Sequence, residues 1–195
     1  MQRNNKGVFY SAVVLLLISG LTACIIALVN GITSPIIEKN TEKSINQSIN
    51  LLFEGNGGYE DITKQCEAEG HLNGADGVVS VYRVTSGTGG EDMYCVLSKA
   101  PGYGDDIEML VGFGCDGVIT CVKVFSAQGE TPGIGQNIKN ESFLSRFVGL
   151  SSAAEGTKID GVSGATVSST GAVKAVNSAC VAINNLLGFN KEVSQ

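Results

Sequence analysis

The chain has 195 residues, of which 43% are hydrophobic and 16% charged, and its formal net charge is −6 at pH 7. This length fits a single domain, and the hydrophobic content is too high for a disordered protein. Two of the 13 basic residues, Arg3 and Lys6, precede Asn30. The rest of the chain therefore contains 11 basic residues and all 19 acidic residues. Nucleic-acid binding depends on basic groups that displace counterions from phosphates, and so acidic a body excludes it.

An uncharged, mostly apolar stretch covers residues 7–29. A helix needs about 20 such residues to cross a bilayer, so this stretch predicts a transmembrane helix. Arg3 and Lys6 lie just before it, and basic residues tend to stay on the cytoplasmic side. We therefore expect residues 1–6 in the cytoplasm, a single pass through the inner (cytoplasmic) membrane, and the body of the protein outside it.

The same residues allow two other interpretations. A cleaved secretory signal has a shorter apolar run, of about 7–15 residues. The letters LTAC at residues 21–24 resemble the lipobox that precedes a lipidated cysteine, which would be Cys24. The apolar run continues past Cys24 to Val29, whereas lipoproteins turn polar directly after the cysteine. This difference favours the transmembrane helix.

Residues 30–77 are predicted to form a juxtamembrane helix and a connecting loop. The helix covers residues 35–53, because a serine–proline start is followed by apolar residues at helical spacing: Ile45, Ile49, Leu52 and Phe53. Glycine and acidic residues dominate residues 55–77, which predicts the loop.

Residues 78–195 are predicted to form the main extracytoplasmic domain. Strand-like runs occur at residues 78–85, 93–99, 107–113 and 118–125. Asp116-Gly117 is a hairpin turn, which makes the sheet antiparallel. Helices are predicted at residues 138–148 and, most clearly, from Ala172 to Leu187, with Gly188 ending the second. Strands grouped together with helices beside them predict an α+β fold.

Five cysteines follow the apolar stretch: Cys66, Cys95, Cys115, Cys121 and Cys180. Their spacing contains neither CxxC nor CxxCH, which argues against zinc ribbons, cysteine-ligated iron–sulfur clusters and c-type haem. No metal site is predicted. Buried thiols and a structural disulfide both remain open for these residues.

Two segments place hydroxyl groups among small residues. Residues 130–135 read ETPGIG, in which proline followed by glycine favours a tight turn. Residues 160–166 read DGVSGAT and precede the clearest helix. Hydroxyl groups at a helix start cap free N–H groups, and the same place suits an anionic phosphate. Neither segment is a Walker loop or a GxGxxG dinucleotide motif.

The DGVSGAT segment resembles the flavinylation motif of the FMN-binding domain found in the G subunit of Rnf complexes and the C subunit of sodium-pumping NADH:quinone oxidoreductases. Other features occur in the order typical of that family: Gly102-Tyr103-Gly104, the Asp116-Gly117 hairpin, the ETPGIG loop and a short helix rich in phenylalanine. With 195 residues the chain is more similar to the compact Rnf protein.

The resemblance implies a specific cofactor site. In the family, FMN is attached through its phosphate to the last threonine of the motif, which corresponds to Thr166. A flavin transferase installs it from FAD with magnesium and recognises the preceding residues, here Asp160, Ser163, Gly164 and Ala165. The ETPG loop lines the flavin, and its counterparts here are Thr131, Gly133 and Ile134. Many members carry a histidine two residues before the loop glutamate, where this chain has Gln128.

The implied function is electron transfer by a flavin phosphoprotein in the membrane. An Rnf complex passes electrons between ferredoxin and NAD while it moves ions, and this chain would be one relay in it, with no catalytic residues of its own and no NAD site. The expected partners are the other subunits of the complex and the flavin transferase. The alternatives are a sodium-pumping quinone reductase subunit, an extracellular flavin protein and, from another class, a surface-binding lipoprotein.

Overall fold

The computed structural model describes residues 5–53, 56–86, 91–151 and 159–189. It divides into two compact units, Met1–Ile49 and Asn50–Gln195. The first helix, α1, covers Asn5–Leu52 and contains Pro35. The predicted separate helix start at Pro35 was therefore wrong, since the helix continues through this proline. Among the residues with described positions, α1 is the helix long and apolar enough to cross a membrane, with a mean hydropathy of 2.8 over its most apolar 18-residue window.

The second unit is built on a five-stranded antiparallel sheet. Its strands follow one another in the order of the sequence. They are β1 (Asn56–Asp61), β2 (Val78–Ser86), β3 (Met93–Pro101), β4 (Asp106–Phe113) and β5 (Ile119–Ser126). The last four confirm the predicted strands, and the antiparallel pairing confirms the predicted α+β fold.

The predicted loop over residues 55–77 was wrong in part. It contains the edge strand β1 and a short helix, α2 (Thr63–Ala68). The glycine-rich and acidic sequence of β1 has little strand propensity, and the strand forms because its backbone pairs with β2. The sheet-containing unit therefore begins before residue 78.

One long helix, α4 (Thr166–Leu187), packs on the sheet against β3 and β4. Its buried face carries small residues, Ala172, Ala175 and Ala179, which bring the helix close to the strands. The Ser98 hydroxyl of β3 donates a hydrogen bond to the Ala175 carbonyl at 2.7 Å. Gly188 ends α4 in the left-handed conformation with φ 78°, as predicted.

The predicted helix over residues 138–148 is shorter and broken. A 3₁₀ helix covers Gly135–Lys139, and α3 covers Glu141–Leu144. Asn140 between them is extended, with φ −69° and ψ 138°, which interrupts the helix. Phe143 and Phe147 are nevertheless buried, and their rings pack edge-to-face with centroids 5.3 Å apart.

Candidate functional site

Two cavities of the second unit meet at the start of α4. The larger has a volume of about 640 Å³ and is lined by residues 159–164 and by the helix residues Thr166, Ser169, Thr170, Val173 and Lys174. The smaller has a volume of about 330 Å³ and is lined by Tyr103, Thr131, Ile134 and Gly135 and by residues 164–168. Gly164 and Thr166 line both.

Thr166 is the first residue of α4, and its side chain is exposed between the cavities. No hydrogen bond joins its hydroxyl to any residue that the structure describes. The residue before it, Ala165, is buried and makes no side-chain cap. The hydroxyl therefore lies free at a helix N-terminus, where the partial positive charge of the helix favours an anion.

The backbone before Thr166 is held by the helix that follows it. The Val162 N–H donates to Ser169 Oγ at 2.8 Å, and the Ala165 N–H donates to the Val162 carbonyl at 3.0 Å. Gly164 has φ +77°, a left-handed conformation that glycine adopts without strain. These features form a compact turn that leads into α4.

Arg146 holds the other end of this turn. Its guanidinium donates from Nη1 to the Asp160 carbonyl and from Nε to the Ser142 carbonyl, the latter at 3.0 Å. The guanidinium carbon also lies 6.0 Å from the centroid of the Phe143 ring. Because Phe143 is buried in the core, Arg146 connects the turn to a rigid part of the domain.

Glu130 bonds to two residues that line the smaller cavity. Its side chain is 2% exposed and accepts hydrogen bonds from the Tyr103 N–H, at 2.7 Å, and from the Ser168 hydroxyl. Tyr103, Ile134 and Val167 line the same cavity with apolar side chains that are 73%, 49% and 51% exposed. A cavity rimmed by exposed apolar groups suits a planar, largely apolar ligand.

Most of the predicted residues are brought together at these cavities. Asp160 and Ser163 line the larger cavity, whereas Ala165, Thr131 and Ile134 line the smaller. Gly133 lines neither, although its φ of +75° shapes the loop between Thr131 and Ile134. Gln128 is exposed and also lines neither cavity.

Sequence reasoning missed four residues at the site: Tyr103, Glu130, Ser168 and Arg146. Tyr103 could have been predicted to be exposed, because an aromatic residue between two glycines of a turn has few core neighbours. The sequence indicates Glu130 less clearly, as an acidic residue inside a loop of small residues. Nothing in the sequence connects Arg146 to Asp160, which lies 14 positions away.

All six cysteines are free thiols in the structure. Burial raises the pKa of the Cys95 thiol, and it raises the pKa of Cys180 to about 12. Cys115 is exposed and donates its S–H to the Glu91 carboxylate. In the described parts of the chain, no three acidic, histidine or cysteine residues cluster to hold a metal ion.

Comparison with known proteins finds a family that matches part of the chain. The FMN-binding domain family matches residues 102–181, which include Tyr103, the ETPG loop and Thr166. This part of the chain is similar to that family. The matched range contains all the residues that line both cavities.

Curated relatives match nearly the whole chain. The G subunit of the Na(+)-translocating ferredoxin:NAD(+) oxidoreductase complex of Acetobacterium woodii is 26% identical over 93% of this chain and 94% of the relative. The G subunit of the proton-translocating ferredoxin:NAD(+) oxidoreductase complex of Clostridium ljungdahlii is 28% identical over 86% of this chain and 87% of the relative. The crystal structure of NqrC from Shewanella oneidensis matches with 24% identity and a TM-score of 0.48, over 57% of this chain and 60% of that one.

The residues that line the two cavities fit FMN. Ligand cavities have volumes of about 300–1,000 Å³, and both cavities lie in this range. The start of α4 suits the phosphate, and the exposed Tyr103, Ile134 and Val167 side chains suit the isoalloxazine ring.

Proposed function

We propose that this protein is a membrane-anchored electron-transfer subunit that carries FMN as a phosphoester on Thr166. The observation that supports this most directly is the exposed Thr166 hydroxyl, free of partners among the described residues and shared by two cavities. A hydroxyl that is to be esterified must be accessible, and the product needs room on both sides of the new bond.

Each part of the cofactor has a counterpart in the site. The phosphate would lie at the N-terminus of α4, where the helix dipole favours negative charge. The ring would lie in the smaller cavity beside Thr131 and Ile134, with Gly133 shaping the loop. Asp160, Ser163, Gly164 and Ala165 would present the threonine to a flavin transferase that uses FAD and magnesium. In that step the Thr166 oxygen bonds to the FMN phosphorus, the pyrophosphate bond of FAD breaks, AMP leaves, and the threonine proton is released.

The bound flavin supplies one- and two-electron chemistry, and the protein supplies position and electrostatics. A covalent bond prevents loss of the cofactor from a domain outside the cell membrane. We propose residues 1–6 as the cytoplasmic end, residues 7–29 as the transmembrane segment and the sheet-containing unit, which includes β1 and α2, as the main extracytoplasmic part. The length and hydropathy of α1 support the membrane segment.

The proposed setting is an Rnf-type complex that couples electron transfer between ferredoxin and NAD to ion translocation. The names of the relatives from Acetobacterium woodii and Clostridium ljungdahlii support this setting, and they differ in the coupling ion, sodium in one and protons in the other. The partners would be the other subunits of that complex. Neighbouring genes for such subunits would separate it from a quinone reductase or an isolated flavin protein.

The decisive experiment compares the wild type, Thr166→Ala and Thr170→Ala, each produced together with a flavin transferase. Thr170 is the matched control, because it lines the larger cavity one helical turn later and its hydroxyl donates to the Thr166 carbonyl at 2.8 Å. We expect intact-mass analysis and fluorescence of the denatured protein to show one covalent FMN in the wild type and in Thr170→Ala, but none in Thr166→Ala. Wild-type protein without added mass would refute the proposal and leave the surface-binding alternative.

A further inference from the structure

Glu130 is the one acidic or basic side chain buried in the described part of the chain. The ion pairs found there join other residues, and none of them includes Glu130. Burying a charged group without a counter-ion is unfavourable unless hydrogen bonds replace its water. A side chain of this kind, placed beside a ligand cavity, points to a role in the site.

The hydrogen bonds of Glu130 come from two other segments of the chain. Oε1 accepts from the Tyr103 N–H at 2.7 Å, in the turn between β3 and β4, and Oε2 accepts from the Ser168 hydroxyl in the first turn of α4. Both groups are donors, so the side chain acts as a double acceptor, as a carboxylate does. The N-terminal end of α4 adds a favourable dipole for a negative charge.

The surrounding backbone leaves space for this carboxylate. A Cβ atom at Gly102 would lie 2.2 Å from Glu130 Oε1, and one at Gly135 would lie 2.6 Å from Oε2. Any other residue at either position would displace the carboxylate. The absence of a side chain at Gly102 and Gly135 therefore leaves room for the Glu130 carboxylate in its observed position.

The three segments that Glu130 joins are also the three walls of the smaller cavity. Tyr103 comes from the first segment, Thr131 and Ile134 come from the loop of Glu130 itself, and residues 164–168 come from the start of α4. We propose that Glu130 is a positioning residue that fixes these walls around the flavin, and that its buried negative charge makes the flavin harder to reduce to an anionic form. This inference rests on the proposed function, since it assigns the charge that the bound flavin experiences.

The charge and the positioning can be tested separately with two variants. Glu130→Gln keeps the shape and one acceptor but removes the charge, so we expect the attachment of FMN to fall less than in Glu130→Ala. We expect the midpoint potential of the bound flavin to rise. The rise should be larger at alkaline pH, because reduction there takes up fewer protons and the reduced flavin is anionic. Glu130→Ala removes both hydrogen bonds, so we expect the initial rate of attachment by the transferase to fall several-fold.

A third measurement needs no flavin. In flavin-free protein, hydrogen exchange of the Tyr103 amide should accelerate several-fold in Glu130→Ala, because its acceptor is gone. Glu67→Gln is the matched control, since it removes the same charge from an exposed position that lines a different cavity. It should change neither the potential nor the exchange.

The outcomes distinguish this inference from the function on which it rests. A potential that is unchanged in Glu130→Gln, or that shifts equally at every pH, overturns the effect of charge. Normal Tyr103 exchange together with normal attachment in Glu130→Ala overturns the positioning role. If wild-type protein gains no FMN while Tyr103 exchange still accelerates in Glu130→Ala, the proposed function fails but the structural role of Glu130 stands.

Discussion

The Val162 N–H donates a hydrogen bond to Ser169 Oγ at 2.8 Å, which joins the turn before Thr166 to the first turn of α4. Ser169 is buried, so water cannot easily replace this acceptor. We expect Ser169→Ala to leave the Val162 donor unpaired, to lower the free energy of unfolding by about 1–3 kcal/mol, and to slow the attachment of FMN. Denaturant unfolding and time-resolved intact-mass analysis measure the two effects.

Ser178→Ala is the control for this prediction. Ser178 lies on the same helix, and its hydroxyl donates to the Lys174 carbonyl at 3.1 Å on the solvent side. Removing that bond should change the unfolding free energy by less than about 0.5 kcal/mol and leave attachment unchanged. Equal attachment rates in the two variants would show that the Val162 bond does not position Thr166.

Gly164 tests the backbone conformation of the same turn. Its φ of +77° is unfavourable for a residue with a Cβ atom, although no other atom lies within 4 Å of the added Cβ. We therefore expect Gly164→Ala to lower the unfolding free energy by about 1–2 kcal/mol through backbone strain alone. A turn that relaxes to negative φ would misplace Thr166, so the covalent FMN content should fall with the stability. A variant with full stability and full attachment would contradict this explanation.

Arg146 tests the anchoring of Asp160. Arg146→Ala removes the donor to the Asp160 carbonyl, and we expect a several-fold slower attachment of FMN with little loss of stability, because the side chain is exposed. Arg146→Lys keeps the positive charge but cannot donate to the Asp160 and Ser142 carbonyls together, so it should restore attachment only in part. Full restoration by lysine would indicate that charge, and not geometry, is what the turn requires.

The fold was largely predictable because its core strands carry their own patterns. The bounds of β2 to β5 and the C-terminus of α4 follow from alternating or helical apolar spacing and from turn residues. The strand β1 was missed because this edge strand forms through backbone pairing with β2 and not through its own apolar pattern. The break at Asn140 was missed because a single extended residue leaves no mark in the apolar spacing.

The site was predictable only where a motif marks it. Residues 160–166 and the ETPG loop are recognisable as segments, and the structure places parts of both at the smaller cavity. The contacts of Glu130 with Tyr103 and Ser168 span 27 and 38 positions of sequence. Such contacts are set by the packing of α4 on the sheet, which one sequence does not specify residue by residue.

Cys115 provides a test of the free thiols and of their pH dependence. Its hydrogen bond to the Glu91 carboxylate raises the pKa of the exposed Cys115 thiol, since the carboxylate stabilises the protonated form. Glu91→Gln should therefore lower this pKa and increase the thiolate fraction. We expect faster alkylation by iodoacetamide near neutral pH, with the difference disappearing at pH values above both pKa values. Peptide mass mapping should find Cys95 unlabelled, and a Cys115 that is already in a disulfide would contradict the structure.

Thr131 tests whether the ETPG loop faces the flavin. Its exposed side chain lines the smaller cavity, but its backbone carbonyl is what accepts from the Ile134 N–H, at 3.2 Å, and from the Gln136 N–H, at 3.1 Å. Thr131→Ala keeps these backbone bonds, so the loop and the attachment to Thr166 should persist. Loss of the hydroxyl beside the ring should shift the midpoint potential or the visible spectrum of the bound flavin. Thr120→Ala, at an exposed threonine of β5 that lines a different cavity, is the control. If the potential and spectrum of Thr131→Ala match those of the control, the ring does not lie against this loop.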